Sequence, residues 1–157
     1  KAIGQYSSAS IPNTGPIPPR VGQTTTYNIV WQLVNVSNDL GEVEVESSLP
    51  PNVEWLGQIA PEGSNIEYDK GTGKIVWRVG KLPAATGILR PAVWAAFKVA
   101  IVPAPLDIGK YVQLIYDSKA RGKDIFVGQI VGSDASQIST YLPNDPEVGQ
   151  QGGFVKE

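Results

Sequence analysis

Residues 24–36 read TTTYNIVWQLVNV, and their parity decides the class of the protein. Tyr27, Ile29, Trp31 and Leu33 share one parity, while Thr26, Asn28, Val30 and Gln32 share the other. A period of two in β-branched and aromatic residues predicts a strand with one face in a core. SNDLG (37–41) then turns the chain with residues that bond their own backbone or tolerate unusual dihedrals. EVEVES (42–47) follows as a second strand and is closed by Pro50 and Pro51, which donate no ladder hydrogen bonds.

Working outward, the same pattern recurs. VEWLGQI (53–59) is a shorter strand, with Val53 and Trp55 in phase. SNIEYD (64–69) and KIVWRVG (74–80) flank KGTG, which predicts a hairpin across Lys70–Gly73. AVWAAFKVAIVP (92–103) puts Val93, Phe97, Val99 and Ile101 on one parity and Trp94, Ala96, Lys98 and Ala100 on the other. KYVQLIYDS (110–118) and DIFVGQIVG (124–132) read as strands around an exposed connection, KARGK (119–123), and SQISTYL (136–142) as a last strand. About nine strand candidates, turn signals between them and no amphipathic helix predict an antiparallel β-sandwich. Its expected core is Tyr27, Ile29, Trp31, Leu33, Val45, Trp77, Phe97 and Ile101.

Composition narrows the function classes. The 157 residues hold no cysteine and no histidine, which removes disulfides, thiolate nucleophiles, thiolate zinc sites and any Ser-His-Asp or Cys-His arrangement. A net charge of -2 with scattered basic residues gives no footprint for nucleic acid or an anionic membrane. No apolar run approaches the roughly 20 residues of a membrane span. The start at Lys1 and the absence of methionine read as a processed or excised piece of a longer protein. Missing cysteine and methionine also suit an exposed environment, since the most easily oxidised side chains are gone. The expected division is an extended or linker segment over 1–20, rich in proline, a sandwich over 21–142, and a glycine-rich extended or linker segment over 143–157.

Four constellations bear on chemistry. Glu42, Glu44 and Glu46 alternate with Val43 and Val45, as the wet side of a half-exposed strand does. A glycosidase would instead need two acids from separate elements facing across a cleft. Calcium requires only oxygen ligands, and Asp117, Asp124, Asp134 and Asp145 lie near turns that a sandwich gathers at its ends, so they are the candidate ligands, although no EF-hand spacing is present. No other cofactor is expected. Trp94, with Lys98 on its parity, points away from Phe97 over small residues and is the candidate contact for another chain or a ligand. A Lys–Asn isopeptide bond needs a buried lysine, asparagine and acid, and both Lys98 and Asn28 stand on the outward parity.

The order VGQTTTYNIVWQLVNVSND, VEVESSLPPNVEW, IEYDKGTGKIVWRVGKLP, AFKVAIVP over roughly residues 20–130 resembles the conserved repeat domain of bacterial and archaeal surface proteins, domain of unknown function eleven. The matching positions are Gly22, Thr26, Tyr27, Asn35, Leu49, Pro50, Trp77 and Gly80, and the closing ISTYLPNDPEVGQQGG resembles the end of longer versions in large surface proteins. Ser47 and Ser48 stand where many members place an Asp before Leu-Pro. The resemblance implies an immunoglobulin-like sandwich of about 7–9 strands with Greek-key connections, exported to the cell surface or a surface appendage of a prokaryote. It brings no catalytic residues. The expected role is a non-enzymatic structural module that packs against neighbouring domains or copies of itself, with possible strand exchange through KAIGQYSSAS (1–10) or GGFVKE (152–157). The alternative is an adhesin-type module displaying loops or an aromatic face to a glycan or host protein.

Overall fold

The computed structural model describes residues 1–157. Its strands are β1 (Ala2–Gln5), β2 (Thr25–Leu33), β3 (Leu40–Ser48), β4 (Val53–Ala60), β5 (Ile66–Asp69), β6 (Lys74–Leu82), β7 (Val93–Ile101), β8 (Gln113–Ile115), β9 (Ser118–Asp124), β10 (Ile130–Ala135) and β11 (Ile138–Ser139). The only helical element is a 3-10 turn, Pro105–Asp107. One sheet has the order β1-β2-β7-β4, the facing sheet β10-β9-β3-β6-β5, and β11 pairs with β8; every strand pairing is antiparallel. The chain changes sheets at β2–β3, β3–β4, β4–β5 and β6–β7, so most sheet neighbours are distant in sequence, as in a Greek-key, immunoglobulin-like sandwich. The strand count is eleven rather than 7–9, because β1 forms in the N-terminal segment and β9 over KARGK, expected as a connection.

The parity of 24–36 fixes the core. Tyr27, Ile29 and Trp31 are fully buried, and Trp31 stacks on Trp77 across the sheets at 6.4 Å and meets Phe97 edge-on at 5.1 Å. Val45, Trp77, Phe97 and Ile101 are buried with them, whereas Leu33 at the end of β2 is half-buried. The Trp31 indole N–H donates to Ser118 Oγ at 2.9 Å, so the one polar atom of that ring is satisfied inside the core.

The terminal segments, expected as extended or linker segments, pack onto the sandwich. β1 extends the first sheet, with Ala2 opposite Trp31 and Gln5 opposite Asn28. Residues 11–15 then lie over the outer face of β2 and β7: Asn28 Nδ2 donates to Ile11 O, Lys98 Nζ to Pro12 O, and Thr14 N to Thr26 Oγ1. This cover corrects the outward reading of that parity. Thr26, Asn28, Ala96, Lys98 and Ala100 are all buried, because the N-terminal segment takes the place of solvent. At the other end of the chain, Leu142, Val148 and Val155 enter the core, and Phe154 stacks on Tyr111 at 4.1 Å. Apolar side chains spaced through a glycine-rich tail had burial to gain, and the tail folds to gain it.

KARGK is not a connection. Residues 119–123 lie within β9, paired with β3 on one side and β10 on the other, and the turn falls on the apolar IFV that follows. The Asp124 carboxylate accepts the backbone N–H groups of Phe126 and Val127, and Gly128 takes φ 75°, so the hairpin closes there. Gly122 also suits the strand interior, since a Cβ there would lie 2.9 Å from Val43 Cγ2.

Candidate functional site

The three glutamates of β3 lie on the solvent side of the five-stranded sheet. Glu44 pairs with Arg78, Glu46 with Lys74, Arg78 also with Glu67 of β5, and Arg121 of β9 with Asp134 of β10. Read across the strand order, charge alternates strand by strand: acid on β10, base on β9, acid on β3, base on β6, acid on β5. These pairs are about half exposed, so each contributes little to stability; together they specify which strand sits beside which. Glu46 and Asp117 border one open cavity at this face, but Glu46 is ion-paired with Lys74 and Asp117 is exposed, so neither is the buried acid of a glycosidase pair.

The calcium candidates do not converge. Asp134 is paired with Arg121, and Asp117 accepts Gln137 N at 2.8 Å. Asp124 closes the β9–β10 hairpin, and Asp145 accepts five hydrogen bonds, from Tyr6 N, Ser7 N, Ser7 Oγ, Glu147 N and Val148 N. No group of three acids is arranged around a common point. Each carboxylate is occupied by a turn, a latch or an arginine.

Asn28 and Lys98 are cross-strand partners and both buried, contrary to their expected exposure. Their hydrogen bonds run to the Ile11 and Pro12 carbonyls, and Asn28 Oδ1 has no partner. The acid that an isopeptide bond requires is missing from these contacts. Lys98 is thus withdrawn from the expected interface, and Trp94 stands without it. Trp94 is 37% exposed and borders a shallow cavity of about 280 Å³ with Gln5, Ser8, Ser10 and Gln32. Trp31 and Trp77 are core residues, and Trp55 is half-buried.

Seven further exposed apolar side chains gather at one pole, on three adjacent loops. The β2–β3 loop shows Val34 and Val36, the β6–β7 loop Ile88 and Leu89, and the β9–β10 tip Ile125, Phe126 and Val127, all more than half exposed. The loops are stitched together from behind. Buried Asn35 donates to the carbonyls of Asn38, Leu82 and Pro83 and, through its backbone N–H, to Thr86 O. Asp39 accepts Ala84 N at 2.8 Å with its side chain and Ile125 N at 3.0 Å with its carbonyl, and Asn38 Nδ2 donates to Asp124. The Ala84 N–H holds the Asp39 carboxyl below its ordinary pKa, against a smaller opposing effect of burial. The Val127 N–H, with Asn38 and Phe126, does the same for Asp124. Polar groups therefore face inward as scaffolding while the apolar side chains face water.

Local backbone supports this arrangement. Ala85 sits at φ 61°, a left-handed conformation that costs a non-glycine residue about 1 kcal/mol, and its carbonyl accepts the N–H groups of Ile88 and Leu89. Gly87 at φ 86° lies where a Cβ would collide with the Val34 side chain, which brings two of the loops into contact.

The opposite pole is concave. Leu49, Pro50, Val53, Trp55, Tyr68 and Val102 line an open groove of about 750 Å³, walled by the stacked rings of Trp55 and Tyr68 at 5.2 Å. The two ends of the chain divide between the poles. The Lys1 ammonium bonds Gln32 O beside the loops, whereas Lys156 N bonds Pro19 O and Glu157 O accepts from Arg20 near the start of β2. Seven residue steps of β2 separate them, roughly 23 Å at about 3.3 Å per residue.

No family model matches the chain, and no curated protein matches it. Among solved structures it is similar to the major pilin subunit of Bacillus cereus at 10% identity, over 79% of this chain and 35% of that one, with TM-score 0.48. It is also similar to the full-length major pilin SpaD of Corynebacterium diphtheriae at 12% identity, over 88% and 35%, with TM-score 0.47. A two-domain piece of SpaD gives 10% identity over 88% and 51%, with TM-score 0.46. The chain spans about a third to a half of the chains it resembles. At these values the likeness assigns no function.

The loop pole was missed in the sequence because IFV reads as a strand. The signal that could have found it is the aspartate just before IFV and the glycine just after: Asp124 and Gly128 are turn residues, and a hairpin between them must put Phe126 outside.

Proposed function

We propose that this chain is a non-enzymatic structural module of an extracellular surface protein or filament, of the kind the surface-protein repeat resemblance implies, and that it works by packing against neighbouring modules or subunits. The observation that carries the reading is the apolar loop pole: seven large side chains held toward water by a hydrogen-bonded scaffold. Monomers rarely present so large an apolar patch without a partner for it. The cysteine- and methionine-free composition suits an exposed setting, since the most easily oxidised side chains are absent. The test is surface labelling: antibodies against the chain, applied to intact source cells, should mark surface filaments or a coat in electron micrographs. Label that appears only after permeabilisation rejects the reading.

A second reading, a glycan-binding module, is favoured by Trp94 beside Gln5, Ser8, Ser10 and Gln32. A single half-open tryptophan is a small platform, and quenching or shift of its fluorescence across a glycan panel decides it.

A further inference from the structure

We infer that copies of this chain associate head to tail, the apolar loop pole of one copy seating in the groove at the opposite pole of the next. This deepens the structural-module reading and rests on it. The convex side offers Phe126 at 86% exposure and Leu89 at 85%, the most exposed large apolar side chains of the molecule. The concave side offers a wall of Trp55 and Tyr68, with Val102 53% exposed at its rim and Lys70, Glu54 and Asn52 around it. An aromatic and aliphatic floor with a polar rim is the anatomy of an interface core.

Area agrees with a second copy as the occupant. Seven apolar side chains at roughly 100 Å² each present about 700 Å², against about 800 Å² per partner in a standard specific interface. The geometry selects the mode. With the apolar loop pole called the crown, crown against crown closes at two molecules and leaves the groove open, whereas crown in groove satisfies both patches and repeats without closing, as heterologous contacts do.

The test uses the 157-residue chain by sedimentation velocity and negative-stain microscopy, from about 1 μM to about 1 mM, the range that weak contacts span. The expected result is a mass that rises with concentration beyond the dimer, with rods repeating at the domain length. Two surface variants separate the modes: Phe126→Asp with Leu89→Asp blocks the crown, and Val102→Asp blocks the groove. Each alone should be monomeric, with circular dichroism unchanged from the parent. Mixed one to one, they should form a dimer and nothing larger, since one intact crown meets one intact groove. A parent chain that stays monomeric throughout overturns the inference. So do dimers that the groove variant leaves intact, or growth that neither variant stops. Surface labelling of intact cells reads independently of all these outcomes, so failure of the stacking and failure of the structural role are distinguishable.

Discussion

Asp145 accepts the backbone N–H groups of Tyr6 and Ser7 at 2.7 and 2.8 Å, so a carboxylate near the end of the chain holds the beginning of the chain in place. The contact spans 139 positions of sequence and joins two segments that composition marks as linkers. It fixes the N-terminal strand at the edge of the sheet, and the segment that follows then covers Asn28 and Lys98.

Replacing this carboxylate by an amide turns an all-acceptor group into one that points an NH₂ at N–H donors. Asp145→Asn should cost about 3 kcal/mol, the scale of charge-assisted hydrogen bonds lost with buried donors left unmet. Hydrogen exchange should accelerate at the amides of Tyr6 and Ser7 first. Equal exchange in both proteins removes the latch from the account.

Ser118 is the buried acceptor for the Trp31 indole, the ring at the centre of the core. Ser118→Ala leaves that N–H without a partner and should lower stability by about 1–3 kcal/mol in denaturant titrations. Ser118→Thr retains the hydroxyl and should lose less. An alanine variant as stable as the parent rules out this bond as a contributor.

The charge ladder predicts a salt-sensitive effect at its middle strand. Glu44→Lys places a cation opposite both Arg78 and Arg121, and should destabilise by about 1 kcal/mol at low salt. The loss should shrink in 1 M NaCl, where exposed charges are screened over about 3 Å. A salt-independent loss points to packing rather than charge.

Stability should form a plateau with an edge on each side. Asp39, Asp124 and Asp145 have folded pKa values below the ordinary 3.8. For Asp145, burial raises the value, but the hydrogen bonds from Ser7, Tyr6 and Glu147 outweigh it. A depressed carboxyl stabilises above its unfolded pKa, and the gain disappears as pH falls through the folded value, so thermal stability should fall below about pH 4. Tyr27 is the reverse case. Burial, then the charges of Tyr6 and Asp145, raise its pKa above the ordinary 10.0. The neutral phenol therefore stabilises below pH 10 and the gain is lost as pH rises further. A melting temperature unchanged between pH 3 and pH 6 contradicts the acid arm.

Strand-period arithmetic was enough for much of this molecule. The parity of 24–36 set which side chains of β2 enter the core, KGTG set the β5–β6 hairpin, and the glutamates of β3 face water as their spacing requires. These are local rules, and nearby residues carry them. What tertiary structure decided was what covers each face. Asn28 and Lys98 read as outward because alternation knows only two sides of a strand, not the segment folded back over one of them. The same holds for the segments 1–20 and 143–157, whose burial depends on contacts 86 and 139 residues away in sequence. The apolar pole belongs to this class. IFV is strand-like by propensity, and it became an exposed tip because β9 took KARGK into register with β3, where the charges match and Gly122 fits against Val43. Local sequence determined the strands and their inward faces; only long-range pairing decided which turn would carry Phe126 into water, and with it where this protein can meet another.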